Sequence, residues 1–87
     1  IEVRLCAEDA AHGFLPQSGT LRRWDPAPGL RVEHALADGS VVAPFYDSMI
    51  AKLIAHGPTR DDARRRLRRG LATSPVLGVV TNRDFLI

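Results

Sequence analysis

The chain has few residues of the types that build several common kinds of site. Its 87 residues include one cysteine, and a single thiol, Cys6, forms neither an internal disulfide nor, by itself, a zinc site. We therefore expect a reducing compartment and assign the protein to the cytoplasm. Residues 70–82, the longest stretch without a charge, are interrupted by Pro75 and Gly78 and fall short of the roughly 20 apolar residues of a membrane span. The sequence accordingly predicts no membrane partner.

Glycine and histidine are too scattered for nucleotide or metal motifs. The seven glycines stand singly, so they form neither a dinucleotide fingerprint nor a phosphate-binding loop. His12, His34 and His56 lie 22 residues apart, and none has a second His or Cys at ligand spacing. We predict no metal ligands and no cofactor-binding residues within this chain.

The composition is that of one small globular domain. Apolar residues make up 45% and charged residues 25%, which excludes disordered and fibrous classes. The net charge of +2 is unevenly distributed, because most basic residues lie in the second half. The chain opens on Ile1 rather than Met, and we interpret residues 1–87 as a single domain of a longer chain.

Alternation of apolar and polar residues predicts a small antiparallel sheet. In the first strand, residues 1–6, odd-numbered residues face the core. Phe14 and Leu15 are expected to pin the following loop to that core. Asp38-Gly39 predicts a two-residue hairpin turn. The predicted strands cover residues 1–6, 20–24, 31–37, 41–42 and 49–55, and a short extended piece at 76–80 precedes a second helix capped by Thr81-Asn82. For residues 49–55 periodicity does not separate helix from strand, and the short length of the run favours a strand.

One main amphipathic helix completes the predicted α+β fold. Thr59 and Asp62 form a start that resembles a capping box, and the helix extends over about residues 59–72. Its apolar residues recur at four-residue spacing and should face the core, and two acid-first pairs at i,i+4 should stabilise it. The stripe consists of Ala63, Leu67 and Leu71, and the pairs are Asp61 with Arg65 and Asp62 with Arg66.

Clustered arginines on this helix raise an alternative function. Arg64, Arg65, Arg66, Arg68 and Arg69 could neutralise the phosphates of a nucleic acid or contact an acidic protein. No aromatic residue is interleaved for base stacking, and acidic partners lie one turn earlier, as on a solvated helix face. We therefore expect no nucleic-acid partner and keep an arginine-rich binding module as an alternative.

Two other cations are open to more than one interpretation. Arg4 lies in mid-strand between apolar neighbours, where a guanidinium is expected to face an anion or a partner. Glu2 lies on the same face, so the alternative is a surface ion pair between the two. Lys52, the only lysine, either extends its stem along the strand towards solvent or carries a modification.

Several short motifs, read in order, resemble the C-terminal domain of biotin carboxylase, the ATP-dependent ligase component of acetyl-, propionyl- and methylcrotonyl-CoA carboxylases. The match covers nearly the whole chain, and the order and spacing of the pieces make them jointly specific. The pieces are Glu2-Val3-Arg4-Leu5, Ala7-Glu8-Asp9, Phe14-Leu15-Pro16, Ser18-Gly19, the run from Pro44 to Ile54, Gly57, Arg60, Gly78 and Thr81-Asn82.

The resemblance implies a small α+β domain that packs against an ATP-grasp domain upstream in the same chain. That domain would bind ATP and magnesium, and biotin would arrive on a biotin carboxyl carrier domain. A carboxyltransferase subunit or domain and a second copy of the enzyme are the other implied partners. In the family, ATP converts bicarbonate to carboxyphosphate, and the ureido nitrogen of biotin is deprotonated and carboxylated. Alone, the chain should be inactive.

At the level of residues, the resemblance implies one catalytic and biotin-binding residue, Arg4. The ureido nitrogen is a very weak acid, so the charge that builds on the ureido oxygen needs a preoriented cation. Arg31 falls where the family often uses an arginine at a dimer surface, with a surface salt bridge as the alternative. Tyr46 and Asp47 receive structural roles only.

Two further alternatives concern what the chain contributes. A biotin carrier domain would present Ala-Met-Lys-Met, whereas Lys52 lies between Ala51 and Leu53, so we expect it to remain unmodified. A scaffold that docks on the rest of a carboxylase would contribute no catalytic side chain. Replacing Arg4 in the complete enzyme separates this last alternative from the enzyme hypothesis.

Overall fold

The described part of the chain combines one three-stranded sheet, three two-stranded ladders and one long helix. The computed structural model describes residues 1–43 and 47–87, so the predictions for Tyr46 lie outside the described residues. The elements are β1 (Glu2–Cys6), β2 (Glu8–Asp9), a 3₁₀ turn (Ala10–His12), β3 (Leu15–Pro16), β4 (Gly19–Thr20), β5 (Arg23–Trp24), β6 (Arg31–His34), β7 (Val41–Val42), β8 (Met49–Ile54), α1 (Arg60–Ala72), β9 (Val76–Leu77) and α2 (Arg83–Leu86).

The main sheet is antiparallel, with β8 between β1 and β6. On its inner face Leu53 is opposite both Val3 and Val32, so that three apolar side chains form one row across the sheet. Leu5 is 1% exposed, whereas Arg4 is exposed. The alternation predicted for residues 1–6 is therefore confirmed, and so is the predicted strand at residues 49–55.

The hairpin predicted around Asp38-Gly39 is wrong. The turn itself is present: Gly39 has φ 88°, and the Ser40 amide donates to the Ala37 carbonyl at 3.0 Å. The flanking strands do not pair with each other, since β6 pairs with β8 and β7 pairs with β4. Pairing with the longer, apolar β8 buries more surface than a local ladder would.

The strand predicted at residues 20–24 is divided into β4 and β5. Between them Leu21 is fully buried, and β5 pairs with β9, so that Trp24 is opposite Val76. The segment that follows β9 passes so close to Thr20 that position 78 requires glycine. Gly78 has φ 104°, and a Cβ there would overlap the Thr20 carbonyl oxygen. The extended piece predicted at 76–80 accordingly ends at Leu77.

Phe14 and Leu15 are not buried anchors, and that prediction is wrong. Their exposed fractions are 42% and 58%, and Phe14 has a left-handed φ of 58°. Its ring packs edge-to-face on Phe85, with ring centroids 5.1 Å apart. The loop is held instead by Ala7, which is fully buried and whose amide donates to the Ser48 carbonyl at 2.7 Å.

Helix α1 confirms the predicted helix. The Thr59 hydroxyl caps it by accepting from the Asp62 amide at 3.1 Å, and the stripe of Ala63, Leu67 and Leu71 is buried. These leucines join Leu5 and Leu53 of the sheet in one core, and the predicted α+β fold is confirmed. Among the described residues, no helix is long and apolar enough to cross a membrane.

One of the two predicted ion pairs along α1 forms. Asp61 pairs with Arg65, as predicted, and also with Arg64. Asp62 does not pair with Arg66, because its carboxylate accepts from the Thr59 hydroxyl at 2.9 Å as part of the cap. The Arg66 guanidinium donates instead to the His56 carbonyl at 3.0 Å.

Candidate functional site

The outer face of the main sheet carries the residues that the sequence singles out. Arg4 on β1 is opposite Lys52 on β8, which in turn is opposite Glu33 on β6. Directly opposed residues project from the same face of a sheet. The three charged side chains therefore form one row on the face turned away from the core.

Arg4 is exposed and carries an uncompensated charge. In the part of the chain that the structure describes, no carboxylate lies within 4.0 Å of its guanidinium. The ion pair between Arg4 and Glu2, which the sequence offered as an alternative, is therefore absent among the described residues. All its hydrogen-bond donors are thus available, within the described residues, to a ligand or partner.

The backbone that carries Arg4 is held on its free edge by Asn82, which is 8% exposed. The Cys6 amide donates to Asn82 Oδ1 at 2.8 Å, and Asn82 Nδ2 donates to the Arg4 carbonyl at 3.2 Å. The Asn82 amide donates to the Cys6 carbonyl at 3.0 Å.

No sequence pattern predicted these three hydrogen bonds between Asn82 and β1, which we call the Asn82 clamp. The sequence predicted Asn82 as a helix cap, and Asn82 does precede α2, but its side chain makes no capping hydrogen bond. The side chain is committed to β1 instead. The separation of 78 positions between Arg4 and Asn82 explains why no local pattern indicates the contact.

Arg31 lies on the same outer face, at the opposite edge of the sheet. Its Nε donates to Glu33 Oε1 at 2.7 Å, which is the surface ion pair considered for it. Both side chains are more than half exposed and line a shallow groove of about 560 Å³ together with Glu2, Lys52 and Ile54. Its role at a dimer surface stays a prediction.

Lys52 is half-buried in the middle strand of the sheet. Its neighbours Ala51 and Leu53 are buried on the inner face. A residue held in a three-stranded ladder is not displayed at the tip of a hairpin, where a carrier domain would present a lysine for biotinylation. The position favours an unmodified amine.

Cys6 is a poor nucleophile in this fold. Its side chain is half-buried at the irregular end of β1. Burial, followed by the nearby Glu8 carboxylate, raises the pKa of the thiol above its ordinary value. A raised pKa leaves less of the reactive thiolate at neutral pH.

The arginines of α1 are partly neutralised by one carboxylate. Hydrogen bonds from Arg64 and Arg65 lower the pKa of Asp61. Arg68 and Arg69 have no ion-pair partner among the described residues. The helix therefore presents a basic surface, and no aromatic ring for base stacking lies on it.

The chain matches one known family over almost its whole length. Residues 2–87 match the model for the biotin carboxylase C-terminal domain. The small subunit of 2-oxoglutarate carboxylase from Hydrogenobacter thermophilus is 44% identical over 89 residues, which cover 100% of this chain and 19% of that subunit. The biotin-dependent acyl-coenzyme A carboxylase alpha3 subunit of Mycobacterium leprae is 43% identical over 83 residues, with coverage of 93% and 14%.

Solved structures show the same fold. The biotin carboxylase domain dimer of the Hydrogenobacter thermophilus enzyme, crystallised with MgADP, ADP and bicarbonate, matches with a TM-score of 0.93 at 44% identity. That match covers 99% of this chain and 19% of the solved one. The biotin carboxylase subunit of a pyruvate carboxylase matches with a TM-score of 0.92 at 46% identity, with coverage of 99% and 20%.

Proposed function

Because this chain belongs to the biotin carboxylase C-terminal domain family, we propose that it supplies the cation that activates biotin within an ATP-dependent carboxylase. Arg4 is the proposed catalytic and biotin-binding residue. The observation that supports this role is its guanidinium, which is exposed and unpaired among the described residues on a strand clamped at its outer edge. A cation that is unpaired and carried on a backbone held in place fits an oxygen that gains negative charge.

The chemistry assigned to Arg4 is charge stabilisation. When the ureido N–H bond of biotin loses its proton to a general base outside this chain, the electron pair delocalises onto the ureido oxygen. The guanidinium donates hydrogen bonds to that oxygen and lowers the energy of the charged form. Biotin acquires the carboxyl group, and Arg4 forms no covalent bond.

We propose that the remaining components lie outside this chain. The relatives are about five to seven times longer than the matched segment, and one was crystallised with MgADP and bicarbonate. These facts support residues 1–87 as one domain of the longer enzyme, with an upstream ATP-grasp domain that binds ATP, magnesium and bicarbonate. The other proposed partners are a biotin carboxyl carrier domain and a carboxyltransferase. The dimeric relative supports a homo-oligomer. Arg31 at the dimer surface is proposed from the family resemblance, and a cytoplasmic location is proposed from the single cysteine of the chain.

The test uses the complete carboxylase with Arg4→Met and Arg4→Lys, and Arg68→Met on α1 as the matched control for loss of one exposed positive charge. We expect Arg4→Met to lower kcat/KM for biotin about 100-fold or more, as for loss of one charge-stabilising donor. Arg4→Lys should retain part of the activity, because the charge remains while the two-donor geometry is lost. Arg68→Met should match wild type.

Folding of each variant is checked by circular dichroism. ATP cleavage that requires bicarbonate but not biotin reports on the rest of the active site. If Arg4→Met carboxylates biotin as wild type does, the domain is a scaffold without a catalytic side chain. A wild-type enzyme with no biotin-dependent turnover contradicts the activity altogether.

A further inference from the structure

Lys52 faces Arg4 at the closest spacing that an antiparallel sheet offers. The backbone groups of Arg4 and Cys6 point away from β8, because they bond to Asn82. Arg4 and Lys52 are therefore a non-hydrogen-bonded pair of the ladder, in which Cα atoms are about 4.5 Å apart and side chains are closest. The fold thus places two cations side by side on one face.

Neither cation forms an ion pair within residues 1–43 and 47–87, and the carboxylates nearest to Lys52 are those of Glu2 and Glu33, which line the same groove. The Glu33 carboxylate is held by Arg31 at 2.7 Å. Glu33 is opposite Lys52 in a hydrogen-bonded pair, where Cα atoms are about 5.5 Å apart. Like charges directly opposite each other destabilise a sheet. An anion between Arg4 and Lys52 converts that repulsion into two attractions.

We infer that Lys52 is a second cation of the biotin site and stabilises, together with Arg4, the negative charge on the ureido oxygen. The inference rests on the function proposed above for Arg4. The two cations differ in kind, since the guanidinium is a planar fork of donors and the ammonium is a compact charge on a flexible stem. Arg4 orients the ureido group, and Lys52 adds positive charge beside it, which favours departure of the ureido proton to the general base.

The experiment compares Lys52→Met, Lys52→Arg and Arg68→Met in the complete carboxylase. Methionine retains an unbranched stem and removes the charge, whereas arginine retains the charge. We expect Lys52→Met to lower kcat/KM for biotin by about 10- to 100-fold, the range for loss of one stabilising group. Lys52→Arg should stay within about threefold of wild type, because a charge-dependent effect survives this exchange. Arg68→Met should have no effect.

Two readouts separate electrostatic action from packing. The pH profile of kcat/KM for biotin should move to higher pH in Lys52→Met. Loss of one positive charge beside the ureido group makes its deprotonation less favourable. A side chain that only packs would leave the profile in place. The double variant Arg4→Met/Lys52→Met should lose less than the product of the two single losses, because both cations act on one oxygen.

The outcomes distinguish the two proposals. If Arg4→Met loses biotin carboxylation while Lys52→Met stays within about twofold of wild type, this inference is overturned and the function of Arg4 stands. If neither Arg4→Met nor Lys52→Met has an effect, the function proposed for Arg4 is contradicted, and with it this inference. Equal loss of biotin-independent ATP cleavage in Lys52→Met also overturns the inference, because the defect then lies in folding. If Lys52→Met does not fold, Lys52→Gln replaces it, and an unshifted pH profile in that variant decides against the role.

Discussion

At the scale of single residues, His34 joins two elements through one ring nitrogen that accepts two hydrogen bonds. Its Nδ1 accepts from Trp24 Nε1 at 3.1 Å and from the Leu36 amide at 2.9 Å. The Trp24 and His34 rings also pack edge-to-face at 5.1 Å. The only tryptophan of the chain therefore reports on the contact between β5 and β6.

Replacing this acceptor should destabilise the fold. His34→Phe retains an aromatic ring for packing but removes the acceptor of the part-buried Trp24 indole and of the exposed Leu36 amide, which costs about 0.5–1.5 kcal/mol of the free energy of unfolding. Urea unfolding followed by Trp24 fluorescence measures the change. His56→Phe, at an exposed position, is the control and should stay within about 0.5 kcal/mol of wild type. Equal effects of the two variants would show that the hydrogen bonds contribute nothing.

At the scale of elements, the fold depends on close approach and on a protected edge. Gly70 is buried in the last turn of α1, and a Cβ at this position would overlap the Leu30 side chain. The edge strand β1 is protected differently, because Asn82 bonds the Cys6 amide, the Cys6 carbonyl and the Arg4 carbonyl on the edge that no strand pairs with. Unpaired strand edges otherwise invite pairing with other chains.

Gly70→Ala should destabilise the protein although it favours the helix. Alanine stabilises a helix by up to about 1 kcal/mol relative to glycine, but its Cβ would have to displace the half-buried Leu30 side chain, and overpacking of this kind costs about 1–3 kcal/mol. A double-mutant cycle with Leu30→Ala, measured by denaturant unfolding, tests the cause, because shortening Leu30 should recover most of the loss. Additive effects of the two substitutions would contradict the proposed overlap.

Asn82→Ala should loosen β1 selectively. The variant leaves the Cys6 amide without its acceptor, so hydrogen exchange at this amide should accelerate more than exchange in α1. Ser74→Ala is the matched control, since the Ser74 hydroxyl is also buried and bonded, to the Gly70 carbonyl at 2.7 Å and the Ala27 amide at 2.8 Å. Both variants lose about 1–3 kcal/mol. Uniform acceleration across the whole protein in Asn82→Ala would argue against a local clamp.

At the scale of the whole molecule, the domain separates its apolar and charged surfaces. The inner face of the main sheet and one stripe of α1 form one core, while the outer face carries charged residues of all three strands. A chain of this size buries only about 60–65% of its unfolded surface, so its stability is modest.

The 87-residue chain by itself should be folded but inactive. We expect a cooperative thermal transition well below about 90 °C, and no ATP turnover with bicarbonate and biotin, because the proposed nucleotide site lies outside the chain. Circular dichroism and a phosphate-release assay measure the two properties, and the complete carboxylase is the positive control. Turnover by the chain alone would contradict the division of labour proposed here.

The sequence by itself determined the elements whose pattern is local. The alternation of residues 1–6 and the stripe of α1 follow from side-chain periodicities of about 2 and 3.6 residues, whereas the strand at 49–55 follows from the short length of its apolar run and from the family resemblance. The same alternation places Arg4 on the outer face, and the order of short motifs indicated the family.

Only the tertiary structure decided which elements meet. The turn at Gly39 forms as predicted, yet β6 and β7 separate to pair with β8 and β4, because burial against the core outweighs a local turn preference. The Asn82 clamp and the facing of Lys52 with Arg4 likewise join residues far apart in sequence. Contacts of this kind depend on chain topology, which local periodicity does not encode.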